Sequence, residues 1–118
     1  MKTIDNREDI RLLVESFYDL ATKDKLIGHH FIEVDFDHHL PRMIDFWCLL
    51  VLDQPGYSEN VIQKHTHMKL SKADFNRWEE LFLKTLTDNF TGEKVDLVKQ
   101  KLAVLKWTME SKVLNVDK

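Results

Sequence analysis

The chain has 118 residues, one cysteine and a formal net charge of −3. This length fits one domain, residues 1–118, and a single cysteine excludes a fold built on internal disulfides. No basic block is present, so nucleic acid is not an expected partner. The longest apolar run, residues 46–52, is far shorter than the roughly 20 residues of a membrane span, and residues 1–11 lack the apolar stretch of a signal peptide. We therefore expect a cytoplasmic protein with no membrane segment.

The N-terminal part is predicted to form an amphipathic helix over residues 6–22. Asp5 and Glu8 have the spacing of a capping box, with a carboxylate where the first free N–H groups point. The apolar residues that follow recur at intervals of three and four, as on one face of a helix: Ile10, Leu13, Val14, Phe17 and Ala21. Gly28 is expected to end a short turn that comes next.

A second predicted helix is apolar on nearly every face over residues 40–52, which indicates burial on most of its sides. Residues 31–37 mix apolar and acidic side chains without a period and predict a loop. Asp35 or Asp37 is the expected cap of this helix, with Pro41 in its first turn, where the missing N–H is tolerated.

The C-terminal half contains two further long predicted helices. Residues 60–67 are a short helical segment, Ser71 and Asp74 cap the next helix, and Thr91 caps the last one. Apolar stripes follow the two caps: Phe75, Trp78 and Phe82, and then Val95, Val98, Leu102, Leu105 and Met109. With 3 glycines and 2 prolines, too few for the turns of a small β fold, the sequence predicts an all-α architecture.

Six histidines are the unusual feature of the composition: His29, His30, His38, His39, His65 and His67. Neighbouring histidines point apart on a helix, and His65 and His67 diverge by about 200°. No i, i+4 histidine pair and no second cysteine is present, so only a histidine zinc site assembled across loops stays open. Cys48 lies in an apolar run typical of an inert core cysteine. The sequence also lacks a Gly-x-Ser-x-Gly nucleophile and a glycine-rich phosphate loop.

Three polar side chains occur inside apolar helical stretches: Tyr18, His39 and Trp78. Taken singly, each is most simply a core residue whose polar tip has found a partner. In that interpretation Trp78 only packs, and the Tyr18 hydroxyl donates to a backbone carbonyl.

The order of several short motifs resembles the group III truncated haemoglobins of bacteria, from about residue 4 to residue 110. The motifs occur in this order: Phe17-Tyr18-Asp19, Asp24-Lys25-Leu26-Ile27-Gly28, Phe31, His39-Leu40-Pro41, Asp45-Phe46-Trp47, Tyr57, Gln63-Lys64-His65, Phe75-Asn76-Arg77-Trp78 and Leu81-Phe82. Each fragment is weak by itself, whereas the ordered set with similar gaps is specific.

The resemblance implies a shortened globin fold whose helices sandwich a b-type haem. It puts the family's proximal iron ligand on His65 and the family's distal residues on Tyr18, His39 and Trp78. It also makes Phe31 the aromatic residue that packs against the haem face. A haem needs an apolar slot with one neutral imidazole on the iron, which suits a histidine between two apolar helices.

Other pocket residues are expected around these positions. Arg42 lies one helical turn after His39 and is a candidate partner of a haem propionate, with a solvated arginine as the equal alternative. The candidate pocket walls are Met43, Phe46, Ile62, Leu70, Phe75 and Phe82, for which plain helix packing is the alternative. His29, His30 and His38 are expected to lie in polar surroundings.

The function implied by the resemblance is the binding of O2, CO and NO at a haem iron. Tyr18 and Trp78 supply O–H and N–H donors that would slow O2 release, which suits O2, NO or peroxide chemistry better than transport. An NO dioxygenase-like or peroxidase-like turnover would need a separate reductase, because no flavin or nicotinamide motif is present. Two alternatives stay open: a haem-free helical interaction module and a haem-based gas or redox sensor.

Overall fold

The computed structural model describes residues 1–57 and 69–114, and within them the chain is all α-helical, as predicted. The predicted helix at residues 60–67 lies outside the described residues. Four α-helices and one 3₁₀ turn follow each other along the described chain: α1 (Arg7–Ala21), the 3₁₀ turn (Gly28–Phe31), α2 (Phe36–Leu52), α3 (Lys72–Asn89) and α4 (Glu93–Val113).

The N-cap of helix α1 lies one residue later in the chain than predicted. The N-cap is Asn6, whose side chain accepts from the Asp9 N–H at 3.1 Å. The Asp9 carboxylate accepts in return from the Asn6 N–H at 3.3 Å and from the Asp5 N–H at 2.8 Å. Lys2 pairs with this buried carboxylate and, with the backbone donors, keeps the pKa of Asp9 below its usual value. The prediction of a capping box at Asp5 and Glu8 was wrong. Asn6 and Asp9 have the same spacing, and the contact between Lys2 and Asp9 favours this pair.

Helix α2 starts earlier than predicted, at Phe36, so part of the expected loop is helical. Asp35 is its N-cap position but makes no side-chain capping bond. Pro41 is the sixth residue of the helix and lies in its second turn, which corrects the first-turn prediction. Proline there costs the hydrogen bond to the carbonyl four residues earlier, and its side chain is exposed.

Two glycines lie where an element of secondary structure begins. Gly28 ends the turn at residues 25–27, as predicted, by donating its N–H to the Asp24 carbonyl at 3.0 Å, and it also begins the 3₁₀ turn. A Cβ there would lie 2.8 Å from the Thr22 carbonyl oxygen. Gly92 is the N-cap of α4, with φ of 100°, a conformation that favours glycine. The predicted cap Thr91 instead donates its backbone N–H to the Lys2 carbonyl at 2.9 Å.

The core forms where α1 packs on α2 and α3 while α4 packs on α3 and α2. Phe82 of α3 lies at its centre, with ring centroids 5.0 Å from Phe17 and 4.9 Å from Trp47. Cys48 is buried in this core, as predicted, and burial raises the pKa of its thiol. Among the described residues, no helix is both long and apolar enough to cross a membrane.

The two capping registers of α1 make different predictions for stability. Replacing Asn6 with Ala should lower the free energy of unfolding by about 0.5–2 kcal/mol, because the Asp9 N–H loses its capping acceptor. Asp5→Ala removes only an exposed hydrogen bond from the Thr3 hydroxyl and should cost less than about 0.5 kcal/mol. Urea unfolding of the two variants measures both values; a larger loss for Asp5→Ala would contradict the Asn6 cap.

Candidate functional site

The four helices and the 3₁₀ turn line an apolar cavity. Its volume is about 140 Å³. Each helix contributes apolar side chains to its wall: Val14 and Phe17 from α1, Met43, Phe46 and Trp47 from α2, Phe75 and Phe82 from α3, and Leu105 and Met109 from α4.

The structure brings most of the predicted wall residues together at this cavity. Six of them line it: Phe31, Met43, Phe46, Leu70, Phe75 and Phe82. The predicted wall residue Ile62 and the predicted iron ligand His65 lie outside the described residues, as does His67. Helical patterning predicted Met43, Phe46, Phe75 and Phe82, which lie on apolar helical stretches, whereas Phe31 was expected from the family resemblance and Leu70 lies outside the helices.

Two of the predicted distal residues form a hydrogen-bonded pair in the cavity wall. The Tyr18 hydroxyl oxygen lies 2.8 Å from His39 Nε2, and both side chains line the cavity. The interpretation in which Tyr18 donates to a backbone carbonyl is therefore corrected, because an imidazole on α2 is within reach. Burial raises the pKa of the Tyr18 phenol above its usual value, so the hydroxyl keeps its proton at neutral pH.

One proton makes the hydrogen bond between the Tyr18 hydroxyl oxygen and His39 Nε2, and it can belong to either atom. Two arrangements therefore exist. If His39 carries its proton on Nε2, it donates to the phenol oxygen and the Tyr18 O–H can point at a third group. If the proton is on Nδ1, the Tyr18 O–H donates to Nε2 and is no longer available. His39 thus governs whether Tyr18 can act as a donor toward the cavity.

Trp78, the third predicted distal residue, also lines the cavity. It is carried by α3, and its ring centroid lies 6.2 Å from that of Phe82, with the planes tilted by 52°. The indole combines an apolar face with one N–H donor, so it can both pack and donate.

A second polar pair, His30 with Asp74, lines the cavity and was not predicted. His30 Nε2 lies 3.3 Å from Asp74 Oδ2, and the two side chains are 14% and 11% exposed. The expectation that His30 lies in polar surroundings was wrong; among the adjacent histidines, His29 is the exposed one. No spacing signal in the sequence could find the pair, because its members are 44 residues apart and the 3₁₀ turn decides which histidine faces inward.

Asp74 also caps α3, as predicted. Its carboxylate accepts from the Ser71 N–H at 2.9 Å, and the Ser71 hydroxyl accepts from the Asp74 N–H at 3.1 Å. Burial raises the pKa of the Asp74 carboxyl, but the hydrogen bonds from Ser71 and His30 outweigh burial and leave that pKa below its usual value. The carboxylate is therefore an anionic acceptor at neutral pH, held rigidly at the start of a helix.

Arg42 lies apart from the residues that line the cavity. Its Nε donates to His38 Nε2 at 2.9 Å on an exposed part of α2. Its predicted contact with a haem propionate therefore stays a prediction. Within the described residues, no cluster of three or more His, Cys, Asp or Glu side chains could hold a metal ion.

The fold was compared with solved structures and the sequence with known proteins. The crystal structure of a group III truncated hemoglobin from Campylobacter jejuni matches with a TM-score of 0.86 over 96% of this chain and 95% of that chain, at 24% identity. The chain has the fold of a truncated haemoglobin. A 2/2 hemoglobin from Synechococcus sp. PCC 7002, solved in the cyanomet state with covalently attached heme, matches with a TM-score of 0.79 over 93% of each chain, at 18% identity.

The sequence comparison agrees with the truncated-haemoglobin fold. A group 3 truncated hemoglobin of Campylobacter jejuni is 24% identical over an alignment of 107 residues, and the match covers 85% of this chain and 84% of the relative. No family model matches the chain. The resemblance to group III truncated haemoglobins that the ordered motifs predicted is confirmed.

The buried phenol of Tyr18 predicts a loss of stability at alkaline pH. Because its folded-state pKa is raised, the unfolded chain releases this proton first, so stability falls as pH rises above about 10. This group contributes up to about 1.4 kcal/mol per pH unit, and Tyr18→Phe removes the contribution. Urea unfolding of the wild type and of Tyr18→Phe between pH 9 and 11 measures this contribution. The lysines also titrate in this range, but they contribute equally to both proteins. Equal pH slopes would contradict the burial of an un-ionised phenol.

Proposed function

We propose that this protein binds a b-type haem in the cavity and takes up O2 and other diatomic ligands, CO and NO, at its iron. The observation that carries the proposal is a hydrogen-bonded phenol and imidazole, Tyr18 and His39, within an apolar cavity of a truncated-haemoglobin fold. A haem iron supplies the coordination position at which such gases bind.

The residues of the cavity suit a large, flat, mostly apolar group. Aromatic rings from the 3₁₀ turn, α2 and α3 line it, among them Phe31, Phe46 and Phe82. Asp74, an acidic side chain in the described lining, is already engaged by His30 and by a backbone N–H. The buried charge is therefore compensated within the wall and does not oppose an apolar occupant.

We assign the iron ligand to His65, which lies outside the described residues. Support comes from the motif Gln63-Lys64-His65 and from the chain on either side of it. On one side the Tyr57 ring packs 5.2 Å from the ring of the lining residue Phe46, and on the other side Leu70 lines the cavity. The described residues Tyr57 and Leu70, on either side of this segment in the sequence, thus lie beside the cavity.

We assign the distal hydrogen-bond donors to Tyr18 and Trp78. O2 gains negative charge when it binds a haem protein, and fixed O–H and N–H groups stabilise that charge. His39 controls the Tyr18 donor through the hydrogen bond between them and is our candidate for gating ligand entry. Two donors imply slow O2 release, which favours NO dioxygenase-like or peroxidase-like chemistry, with electrons from a separate reductase, over transport.

The first test is haem binding itself. The purified protein, or the haem-free chain after addition of haem, should show a Soret absorption band at a stoichiometry of one haem per chain. A protein that stays colourless after haem addition would contradict the proposal and favour a haem-free helical interaction module.

His65→Ala should lose most of the bound haem, because the iron loses its protein ligand. His67→Ala is the matched control: on the helix predicted for residues 60–67 its side chain points about 200° away from that of His65, so haem content should stay unchanged. Haem content per chain and the ferrous absorption spectrum measure the outcome. A His65→Ala protein with wild-type haem content and spectrum would refute the ligand assignment.

Tyr18→Phe and Trp78→Phe should each speed O2 release by about 5- to 150-fold, the factor that corresponds to about 1–3 kcal/mol for a hydrogen-bond donor. Release of CO should change much less, because bound CO carries little negative charge. Trp107→Phe makes the same chemical change as Trp78→Phe at an exposed residue outside the described cavity lining and should alter neither rate. Stopped-flow dissociation of both gases tests this; equal factors for O2 and CO would mean that the residues act through pocket volume.

A further inference from the structure

One wall of the cavity is formed by a short connecting segment rather than by a long helix. Residues 24–31, here called the wall strap, join α1 to the approach of α2 and contain the 3₁₀ turn. Three of their side chains line the cavity: Ile27, His30 and Phe31.

Side-chain hydrogen bonds to carboxylates fasten the wall strap to α3 at both of its ends. At the start, the Arg77 guanidinium contacts Asp24 Oδ1 at 2.8 Å through both Nε and Nη2. At the other end, His30 Nε2 meets Asp74 Oδ2 at 3.3 Å. The two partners on α3 are three residues apart, about one helical turn, so the strap lies along a single face of that helix.

The partners at the start of the wall strap are held in place by further bonds. The Asp24 carboxylate, 7% exposed, also accepts from the backbone N–H groups of Leu26 and Ile27 at 3.1 and 3.2 Å. The bond from Arg77 keeps the pKa of Asp24 below its usual value. At the other end, Asp74 is fixed by its capping box with Ser71. The strap therefore has rigid attachment points.

The residue next to His30 connects the wall strap to the distal site. The Phe31 ring packs edge-on against the Tyr18 ring, with centroids 5.7 Å apart and planes at 81°. Two other rings enclose Tyr18, Phe17 at 5.1 Å and Phe36 at 5.2 Å, and both are carried by helices. Phe31, in contrast, belongs to the wall strap, and its ring centroid also lies 6.4 Å from that of Phe36.

We propose that His30 is a positioning residue for the ligand site: its bond to Asp74 holds the wall strap so that Phe31 keeps the Tyr18 hydroxyl beside His39. The consequence for gas binding rests on the proposed haem function, whereas the positioning of Tyr18 is a property of the chain itself.

The chemistry of the pair defines which side chains can replace His30. An ionised carboxylate only accepts hydrogen bonds, so Nε2 of His30 must carry a proton, in the neutral tautomer or in the imidazolium. A glutamine at this position offers a terminal N–H to Asp74, whereas a leucine of similar size offers none. His30→Gln should therefore preserve the position of Tyr18, and His30→Leu should not.

NMR of the haem-free chain tests the positioning directly. The protein has 2 tyrosines, so ring-labelled tyrosine gives one set of signals for Tyr18 and one for Tyr57, assigned with Tyr18→Phe. His30→Leu should shift or broaden the Tyr18 signals and leave those of Tyr57 in place, and His30→Gln should match the wild type. Asp74→Ala, which removes the acceptor from the other side, should reproduce the effect of His30→Leu and serves if that variant does not fold.

The haem-loaded protein gives a second readout. His30→Leu should speed O2 release relative to CO release by about 2- to 12-fold, the factor corresponding to about 0.5–1.5 kcal/mol for one neutral hydrogen bond. His30→Gln should restore the wild-type ratio. Arg7→Leu is the matched control, because it breaks a 2.6 Å ion pair with Asp45 outside the described cavity lining, and it should change neither the ratio nor the Tyr18 signals.

Three results would overturn the proposal. The first is a His30→Leu protein with unchanged Tyr18 signals, and the second is a His30→Gln protein that behaves like His30→Leu. The third is an equal change in O2 and CO release. Failure of the wild type to take up haem would refute the proposed function instead, and the tyrosine spectra of the haem-free chain would still decide the role of His30.

Discussion

The arrangement of the cavity depends on one constraint, which is that a hydroxyl group inside an apolar wall needs a hydrogen-bond partner. Leaving the Tyr18 hydroxyl without one would cost about 1–3 kcal/mol, and His39 removes that cost at 2.8 Å. The partners belong to α1 and α2, so the bond also fixes how these two helices meet. The same atoms that stabilise the wall thereby present a phenol and an imidazole to whatever occupies the cavity.

Helix α3 is the frame against which the rest of the cavity is placed. Its apolar stripe of Phe75, Trp78 and Phe82 lines the cavity, and Phe82 reaches the centre of the core. Its first turns carry Asp74 and Arg77, which hold the wall strap. Helix α3 therefore supplies part of the apolar wall, the N–H donor of Trp78 and the attachment of the wall strap. Because Asp74 belongs to its N-terminal cap, that cap matters for the site as well as for the helix.

The two polar pairs of the cavity have different relationships to its occupant. Tyr18 and His39 share a proton whose position decides whether the phenol can donate. In the His30–Asp74 pair the carboxylate fixes the donor on His30, so the pair offers a stable attachment. In the proposed function the first pair contacts the gas and the second keeps the first in place. The proposed iron ligand His65 supplies the remaining element of the site.

The sequence by itself determined the all-α class, the cap of α3 by Ser71 and Asp74, and the helical wall positions Met43, Phe46, Phe75 and Phe82, because these depend on spacing within one helix. The ordered motifs also carried the resemblance to truncated haemoglobins. Only the tertiary structure decided that Asn6 caps α1, that His30 faces inward, and that Tyr18 bonds to His39. Those outcomes join residues 21 or 44 positions apart, or require contact with Lys2, and no local period encodes them.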